Sequence, residues 1–279
     1  MIDFQNLDRK TLAKVIDFSI LPKQTTKAEI RAGCAVTRRY GFAAFYTSSA
    51  YWAPVIREEL AGVEDVEIGT GIAFPFGSAP AAVKAFEVED AVRRGCTAVD
   101  MVMNIGALKS GDRQGVAEEL RLFKQAAAGA VTKCILEVCF LTDEEIATAS
   151  KLVAEAGIDF VKTSSGQFEG PSLEQFLVMR EAVCDAPVRL KVAGVKFPRP
   201  QNALVFLRAG ADRLGTRAGP EIVDSLEILR QIGLVPEAVV AGLPTERGVV
   251  AGLPAERGVV AGLPAERGVV AGLPTEPHA

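Results

Sequence analysis

The chain has 279 residues with 31 Lys and Arg, 35 Asp and Glu and a net charge of −4, and it contains no run of basic residues. This balance argues against a nucleic-acid surface. The 49% hydrophobic content predicts a large core. The apolar runs are strand-sized and no basic-then-apolar leader opens the chain, so we expect a soluble, unsecreted, cytoplasmic protein without membrane contact.

Cysteine and histidine usage narrows the chemistry further. The five cysteines include no C-x-x-C pair, which is typical of buried free thiols in a reducing compartment. The single histidine, His278, is the next-to-last residue. Ser-His-Asp and Cys-His catalysis, a histidine base and His-rich zinc sites are therefore disfavoured. Any chemistry must rest on Lys, Asp, Glu, Tyr or Cys, and we expect no metal.

In chain order, eight short β-rich runs alternate with longer helical patterns. Most of the runs are solidly apolar, as expected of parallel strands buried on both faces. The predicted strands cover residues 15–20, 43–48, 66–74, 98–105, 132–140, 159–164, 188–193 and 212–216.

The helical patterns carry clear start and stop signals. Capping boxes begin at Thr26, Thr142 and Ser172. Glycines that suit a helix end follow at positions 41, 95, 129, 157, 210 and 233. Eight strands each followed by a helix predict an α/β protein with a (β/α)8 TIM barrel. A doubly wound open sheet is the alternative, although no G-x-G-x-x-G follows the first strand.

Three isolated charges lie inside apolar strand patterns. Asp100, Lys162 and Lys191 belong to the predicted fourth, sixth and seventh strands. At the strand ends of a barrel they would converge on one pocket, where burial and a second cation favour a neutral lysine amine that attacks carbonyls. The alternative is that each lysine stem lines a strand and its ammonium reaches water.

The composition changes near residue 234. The decapeptide AGLPTERGVV at 241–250 recurs at 251–260 and 261–270 with one Thr-to-Ala change, and a partial copy follows. We therefore predict a barrel over residues 1–233 and a low-complexity repeat tail over 234–279. The tail is expected to be disordered and dispensable for folding, because it lacks core periodicity. A partner-binding or self-associating arm is the alternative.

From about residue 12 to residue 229, the sequence resembles the deoxyribose-phosphate aldolase family of class I aldolases. The resemblance is densest in VDMVMNIGALKSGD at 99–112, ILEVCFLTDEE at 135–145, FVKTSSG at 160–166 and AGADRLGT at 209–216. It implies a (β/α)8 fold and reversible condensation of acetaldehyde with D-glyceraldehyde 3-phosphate, without a metal or cofactor. The expected partners are a small-molecule aldehyde or sugar phosphate and a second copy of the chain in a homodimer.

The resemblance also implies roles for individual residues. Lys162 matches the Schiff-base lysine, Asp100 the acid/base aspartate, and Lys191 the second lysine, which would disfavour the ammonium form of Lys162. Asp17 matches an acidic position that would bind a substrate hydroxyl. The alternative, which the sequence favours equally, is that Asp17 is only a local cap. Further expected substrate contacts are Thr163, Gly194, Lys196, Gly215, Thr216 and Arg217.

Departures from the family pattern concern mainly the phosphate loops. The run Lys191-Val-Ala-Gly194-Val-Lys196 at the seventh predicted strand is one glycine short of the family's pattern. After the eighth strand, where the family often shows two serines, this chain has Gly215-Thr-Arg-Ala-Gly219. Tyr46 replaces a frequent cysteine. Two alternatives therefore stay open: a class I aldolase that takes a different or unphosphorylated aldehyde, and a non-catalytic barrel kept for binding.

Overall fold

The chain folds into a closed barrel of eight parallel strands in a computed structural model, which describes residues 2–236. Each strand pairs with its sequence neighbours, and the eighth pairs with the first. The predicted (β/α)8 barrel is therefore confirmed. The decapeptide repeats lie outside the described residues. The strands are β1 Ile16–Ile20, β2 Ala44–Thr47, β3 Glu67–Ile72, β4 Ala98–Val102, β5 Val131–Ile135, β6 Phe160–Lys162, β7 Arg189–Ala193 and β8 Arg213–Thr216.

Helices follow every strand and cover the outside of the barrel. No helix within residues 2–236 is long and apolar enough to cross a membrane. The helices are α1 Arg9–Ala13, α2 Lys27–Tyr40, α3 Ala53–Glu59, α4 Ala81–Arg94, α5 Ile105–Lys109, α6 Arg113–Ala126, α7 Asp143–Glu155, α8 Leu173–Ala182, α9 Arg199–Arg208, α10 Gly219–Asp224 and α11 Leu226–Gln231, with short 3₁₀ turns at Ala50–Trp52 and Val138–Phe140.

All eight predicted strands are present, but four predictions run two or more residues too far at their carboxyl ends. The predicted strand 98–105 ends at Val102, because the Asn104 side chain accepts a hydrogen bond from the Ala107 amide (3.1 Å) and starts α5. The predicted strands 66–74 and 132–140 likewise continue into loops, and the predicted strand 159–164 already ends at Lys162. Apolar residues in these loops extend the hydrophobic run without adding to the strand.

The predicted helix signals are confirmed. The capping boxes at Thr26, Thr142 and Ser172 have both of their reciprocal hydrogen bonds. All six glycines predicted at helix ends have positive φ, between 69° and 106°. These local signals need no tertiary partner, which explains why they can be read from the sequence.

The main hydrophobic core lies between the barrel and its helices. It includes the outward-facing strand residues Ile16, Val99, Val161, Val192 and Leu214. Inside the barrel the apolar cluster is small and contains Ala44, Tyr46 and Ala98, with Val131 against it. The barrel interior is therefore free to hold polar side chains, and the outer layer supplies most of the apolar burial.

A buried ion pair anchors the end of β4 to the helices. The Lys84 Nζ atom lies 2.7 Å from Glu119 Oε2 and donates to the Val102 carbonyl (2.8 Å). The other Glu119 oxygen accepts from the Asn104 amide (2.9 Å). Both side chains are at most 5% exposed. Because β4 carries Asp100, this pair fixes the strand end that presents Asp100 to the barrel interior.

The packed part of the chain extends beyond the predicted boundary at residue 233. Val235 is 1% exposed and belongs to the core, and its amide donates to the Leu229 carbonyl (3.2 Å). Arg208 donates to the Leu234 carbonyl (3.1 Å). Tertiary packing thus continues for at least two residues beyond Gly233, because a helix-end glycine marks the end of a helix and not the end of tertiary packing.

Removal of the Glu119 carboxylate is expected to destabilise the protein strongly. In Glu119→Ala, the Lys84 ammonium stays buried without its counter-charge, which costs about 3–5 kcal/mol. The melting temperature should fall by roughly 6–20 °C. Glu118→Ala is the matched control, because Glu118 forms only an exposed pair with Arg121 and such pairs are worth about 0–1 kcal/mol. Equal melting temperatures for the two variants would contradict this view.

Two truncated chains test the end of the barrel. A chain that ends at Pro236 should keep the melting temperature of the full chain, because the repeats lack core periodicity. A chain that ends at Gly233 loses Val235, whose burial is worth about 1.5–3 kcal/mol. Its melting temperature in calorimetry should be lower by roughly 3–12 °C. Loss of stability in the longer truncation would show that the repeats contribute to folding.

Candidate active site

Seven charged side chains meet inside the barrel and form what we call the interior charge cluster. The strand register explains the meeting, because Lys162 is level with Lys191, Lys191 with Arg213, and Asp100 with Lys133. Residues that are level on neighbouring strands face the same side of the sheet. The cluster consists of Asp17 on β1, Glu67 on β3, Asp100 on β4, Lys133 on β5, Lys162 on β6, Lys191 on β7 and Arg213 on β8.

Lys162 occupies the last position of β6 and lines the cavity at the mouth of the barrel. Its Nζ atom donates a hydrogen bond to Asp100 Oδ2 (2.7 Å). Burial lowers the pKa of Lys162 to about 8, with the Lys191 charge acting in the same direction and Asp100 opposing it. At pH 7 about a tenth of this lysine is therefore a neutral amine, far more than for a lysine in water.

Lys191 keeps its positive charge beside Lys162. Its Nζ atom lies 2.8 Å from Asp100 Oδ2 and 2.7 Å from Asp17 Oδ2. Burial acts to lower the pKa of Lys191, but the two carboxylates outweigh it and the pKa is raised. Gly215 on β8 leaves room for the lysine stem, because a Cβ there would lie 3.0 Å from the Lys191 Cε atom and the stem would have to shift by a few tenths of an ångström.

The two aspartates of the cluster are ionised. Burial acts to raise the pKa of Asp100, but Lys162, Lys191 and Lys133 outweigh it and the pKa is lowered. Burial likewise acts to raise the pKa of Asp17, but Lys133, Lys191 and Arg213 outweigh it and the pKa is lowered. The Asp17 Oδ1 atom also accepts from Arg213 (2.7 Å). Asp17 is therefore an interior ion-pair residue, and the alternative of a local helix cap is wrong.

Four residues in the barrel interior were not predicted as site residues from the sequence. Lys133, Glu67 and Arg213 belong to the charge cluster, and Tyr46 lies among them with its ring centroid 4.1 Å from the Lys191 Nζ atom. For Lys133 the signal was present, because it is an isolated charge in an apolar strand like the three charges that were singled out. Glu67 and Arg213 open their strands, where a charge more often faces water.

A cavity of about 970 Å³ opens above the cluster, at the carboxyl ends of the strands. Lys162, Lys191, Asp100, Asp17 and Tyr46 line its inner part. Four of the other predicted substrate contacts also line it, namely Gly194, Gly215, Thr216 and Arg217. The structure thus brings most of the predicted site residues to one cavity, at the end of the barrel where active sites of this fold are found.

Thr163 and Lys196 are not brought to the cavity. Thr163 follows Lys162 and faces the other side of the strand, where its hydroxyl donates to the Ala193 carbonyl (3.2 Å) and accepts from the Ala193 amide (3.1 Å). Lys196 forms an exposed ion pair with Glu169 (2.8 Å). Thr163 therefore ties β6 to β7, and the charge of Lys196 is directed to its acidic partner.

Three cationic side chains surround one side of the cavity mouth. Lys23 follows β1, Arg199 follows β7 and Arg217 follows β8, so all three come from adjacent strands. Only Arg199 has a carboxylate near it among the described residues, Glu221 at 3.9 Å. The β6 and β7 loops touch nearby, since a Cβ at Gly170 would lie 1.8 Å from the Gly194 carbonyl. This side of the mouth is suited to an anionic group.

Comparisons with known proteins agree with this geometry. The model of the DeoC/LacD family aldolases matches residues 4–222. Deoxyribose-phosphate aldolase 1 of Mesoplasma florum is 40% identical over 77% of this chain and 97% of its own length. The deoxyribose-phosphate aldolase of Listeria monocytogenes is 41% identical over 76% of this chain and 95% of its own length.

A solved structure agrees as well. The tetrameric deoxyribose phosphate aldolase from Aeropyrum pernix superposes with a TM-score of 0.71 at 26% identity, over 80% of this chain and 93% of that chain. The family match spans the whole barrel, and the relatives are covered almost end to end. The chain therefore belongs to the DeoC/LacD family of aldolases.

Proposed function

We propose that this protein is a class I aldolase that reversibly cleaves 2-deoxy-D-ribose 5-phosphate into acetaldehyde and D-glyceraldehyde 3-phosphate. The observation that carries the proposal is Lys162, a buried lysine on the cavity wall whose pKa is about 8. Its nearest polar neighbour is Asp100 at 2.7 Å. A lysine of this kind is the nucleophile of Schiff-base chemistry. The relatives named deoxyribose-phosphate aldolase support the choice of substrate.

The first stage is formation of an imine on Lys162. The neutral amine adds to the aldehyde carbon of the open-chain sugar and gives a carbinolamine. Asp100 takes the proton that the nitrogen loses and returns it to the oxygen, which becomes the carbinolamine hydroxyl. The Lys191 ammonium, bound to the same carboxylate oxygen, then donates a second proton to this hydroxyl, which departs as water. The product is a protonated imine whose positive nitrogen withdraws electrons from the sugar.

The second stage breaks the carbon–carbon bond. A base takes the proton of the C3 hydroxyl, the C2–C3 electron pair moves toward the iminium, and D-glyceraldehyde 3-phosphate leaves. The enamine that remains on Lys162 then gains a proton at its terminal carbon. Water hydrolyses the resulting imine, which releases acetaldehyde and restores the amine. Asp100 and Lys191 are the ionisable groups in place for these transfers.

The phosphate is proposed to bind at the cationic side of the mouth. Arg217, Arg199 and Lys23 line the cavity there, and arginine engages phosphate oxygens with two parallel hydrogen bonds. The β7 loop supplies Gly194, which has a positive φ of 76°. Side-chain charge thus replaces part of the backbone binding that a second loop glycine would supply.

An aldolase for an unphosphorylated aldehyde is the second candidate function. One observation favours it: Lys196 of the β7 loop pairs with Glu169 and does not reach the cavity. A non-catalytic barrel is disfavoured by the retained lysine pair. The homodimer, the cytoplasmic location and the independence from metals stay predictions. So does disorder of the repeat tail.

Trapping of the imine tests the assignment of Lys162. Borohydride reduction in the presence of acetaldehyde should add one ethyl group to Lys162, because reduction freezes the imine as a secondary amine. Peptide mapping by mass spectrometry locates the label. Lys162→Ala should abolish both labelling and turnover, whereas Lys196→Ala should keep both. A label on Lys191 would contradict the two lysine roles.

Paired substrates test the phosphate site. Arg217→Ala should raise KM for 2-deoxyribose 5-phosphate by roughly 10–100-fold, since a hydrogen bond to a charged group is worth about 1.5–3 kcal/mol. It should leave the turnover of plain deoxyribose nearly unchanged. Lys196→Ala is the matched control, because its charge is directed to Glu169, and its KM should stay near that of the unaltered protein. Equal kinetics of the unaltered protein with both sugars would favour the second candidate function.

A further inference from the structure

Lys133 has no part in the mechanism above, yet it is the most deeply placed lysine of the interior charge cluster. It is 0% exposed. Its Nζ atom donates to Glu67 Oε2 (2.9 Å) and to the Tyr46 hydroxyl (2.5 Å). It also lies 3.5 Å from Asp17 Oδ2 and 3.9 Å from Asp100 Oδ1. This single ammonium therefore lies within ion-pair distance of all three carboxylates of the cluster.

The four cations of the cluster are held unequally. Lys133 contacts three carboxylates, Lys191 contacts two and Arg213 contacts two. Lys162 contacts one, Asp100, and shares that carboxylate oxygen with Lys191. When all seven groups are ionised, four cations face three anions. The cation with the fewest carboxylate contacts is stabilised least, so it loses its proton at the lowest pH.

We propose, on the basis of the aldolase function proposed above, that Lys133 is a positioning residue that acts through its charge. Its ammonium forms ion pairs with all three carboxylates of the cluster. Lys162 is then the surplus cation of the cluster and becomes the neutral amine. Lys191 disfavours the Lys162 ammonium as well, and Lys133 adds the fourth positive charge of the cluster. Without Lys133, three carboxylates would face three cations, and the Lys162 ammonium would have a full counter-charge.

The other polar groups around Lys162 leave this balance intact. Tyr46 from β2 is neutral, since burial and the nearby carboxylates raise its pKa well above the usual value. Glu137, beyond β5, accepts a hydrogen bond from the Ser165 amide (3.0 Å) and lies more than 4.0 Å from every cation among the described residues. Burial raises the pKa of this carboxyl and outweighs the opposing Lys162 charge. Arg189 opens β7, is exposed and lies over the Phe160 ring. The lowered pKa of Lys162 and the raised pKa of Lys191 agree with the unequal contacts.

The test is the pH dependence of amine reactivity at Lys162 in the full chain. A 1,3-diketone, pentane-2,4-dione, forms a stable enaminone with a neutral lysine amine, which is followed by absorbance and mapped by mass spectrometry. The rate of enaminone formation at Lys162 is plotted against pH, and the midpoint of this curve is compared among the variants. In Lys133→Met this midpoint should move to higher pH by about 1 unit or more. The rate at pH 7 should fall about tenfold, and the rates should converge well above both midpoints. The reagent's own ionisation is the same for all variants and cancels.

Matched variants separate charge from packing. Lys133→Arg keeps the positive charge and should restore the midpoint, and Tyr46→Phe removes a hydroxyl that contacts Lys133 and should leave the midpoint in place. Glu67→Gln removes an anion from the cluster, so the midpoint should move to lower pH. If circular dichroism shows that Lys133→Met does not fold, the shift to lower pH in Glu67→Gln tests the role of the charge balance instead.

The outcomes distinguish this inference from the function on which it rests. If the unaltered protein is not labelled at Lys162, the aldolase proposal fails. If Lys162 is labelled but its midpoint stays in place in both Lys133→Met and Glu67→Gln, the aldolase proposal stands and the role of Lys133 is overturned.

Discussion

Asp100 joins two lysines in the barrel interior, and the rest of the site depends on this contact. Its Oδ2 atom accepts hydrogen bonds from Lys162 and from Lys191, at 2.7 and 2.8 Å. Burial of these charges would be costly for any one of them alone, because each would lose its hydration. Together, the carboxylate and the two ammonium groups offset the cost of one another's burial, although the two lysines do not share this gain equally. Lys191 also contacts Asp17 (2.7 Å), whereas Lys162 contacts only Asp100, so Lys162 is the less supported of the two lysines.

The barrel makes such a cluster tolerable because its stability comes from elsewhere. Most of the apolar core lies between strands and helices, so the interior need not be hydrophobic. Small residues leave room there for long side chains. A Cβ at Gly69 would lie 2.2 Å from the Tyr46 ring, so only glycine at this position of β3 leaves room for the ring. The buried Lys84–Glu119 pair then holds the end of the strand that presents Asp100.

The mouth of the cavity is built differently from its floor. The floor is formed by strand residues whose positions are fixed by register, whereas the mouth is formed by loops. Phe76 after β3 and Phe168 after β6 line the cavity and pack edge to face, with ring centroids 6.3 Å apart. Loops tolerate substitution because they lie outside the packed layers. The floor and the mouth can therefore change separately: Asp100, Lys162 and Lys191 on the strands keep the family pattern, whereas the loops after β7 and β8 depart from it.

Much of the architecture was determined by the sequence alone. Solidly apolar strands, capping boxes and helix-end glycines are signals that act within a few residues, and they led to the correct barrel. Asp100, Lys162 and Lys191 were recognisable as isolated charges in apolar strands. Only the tertiary structure decided which charges meet. Barrel closure brings β4 and β7 together across the interior, and it turns Glu67 and Arg213 inward although both open their strands. It also directs Lys196 to Glu169 and places Val235 in the core. Contacts between distant segments depend on register and closure, and no local pattern in the chain encodes them.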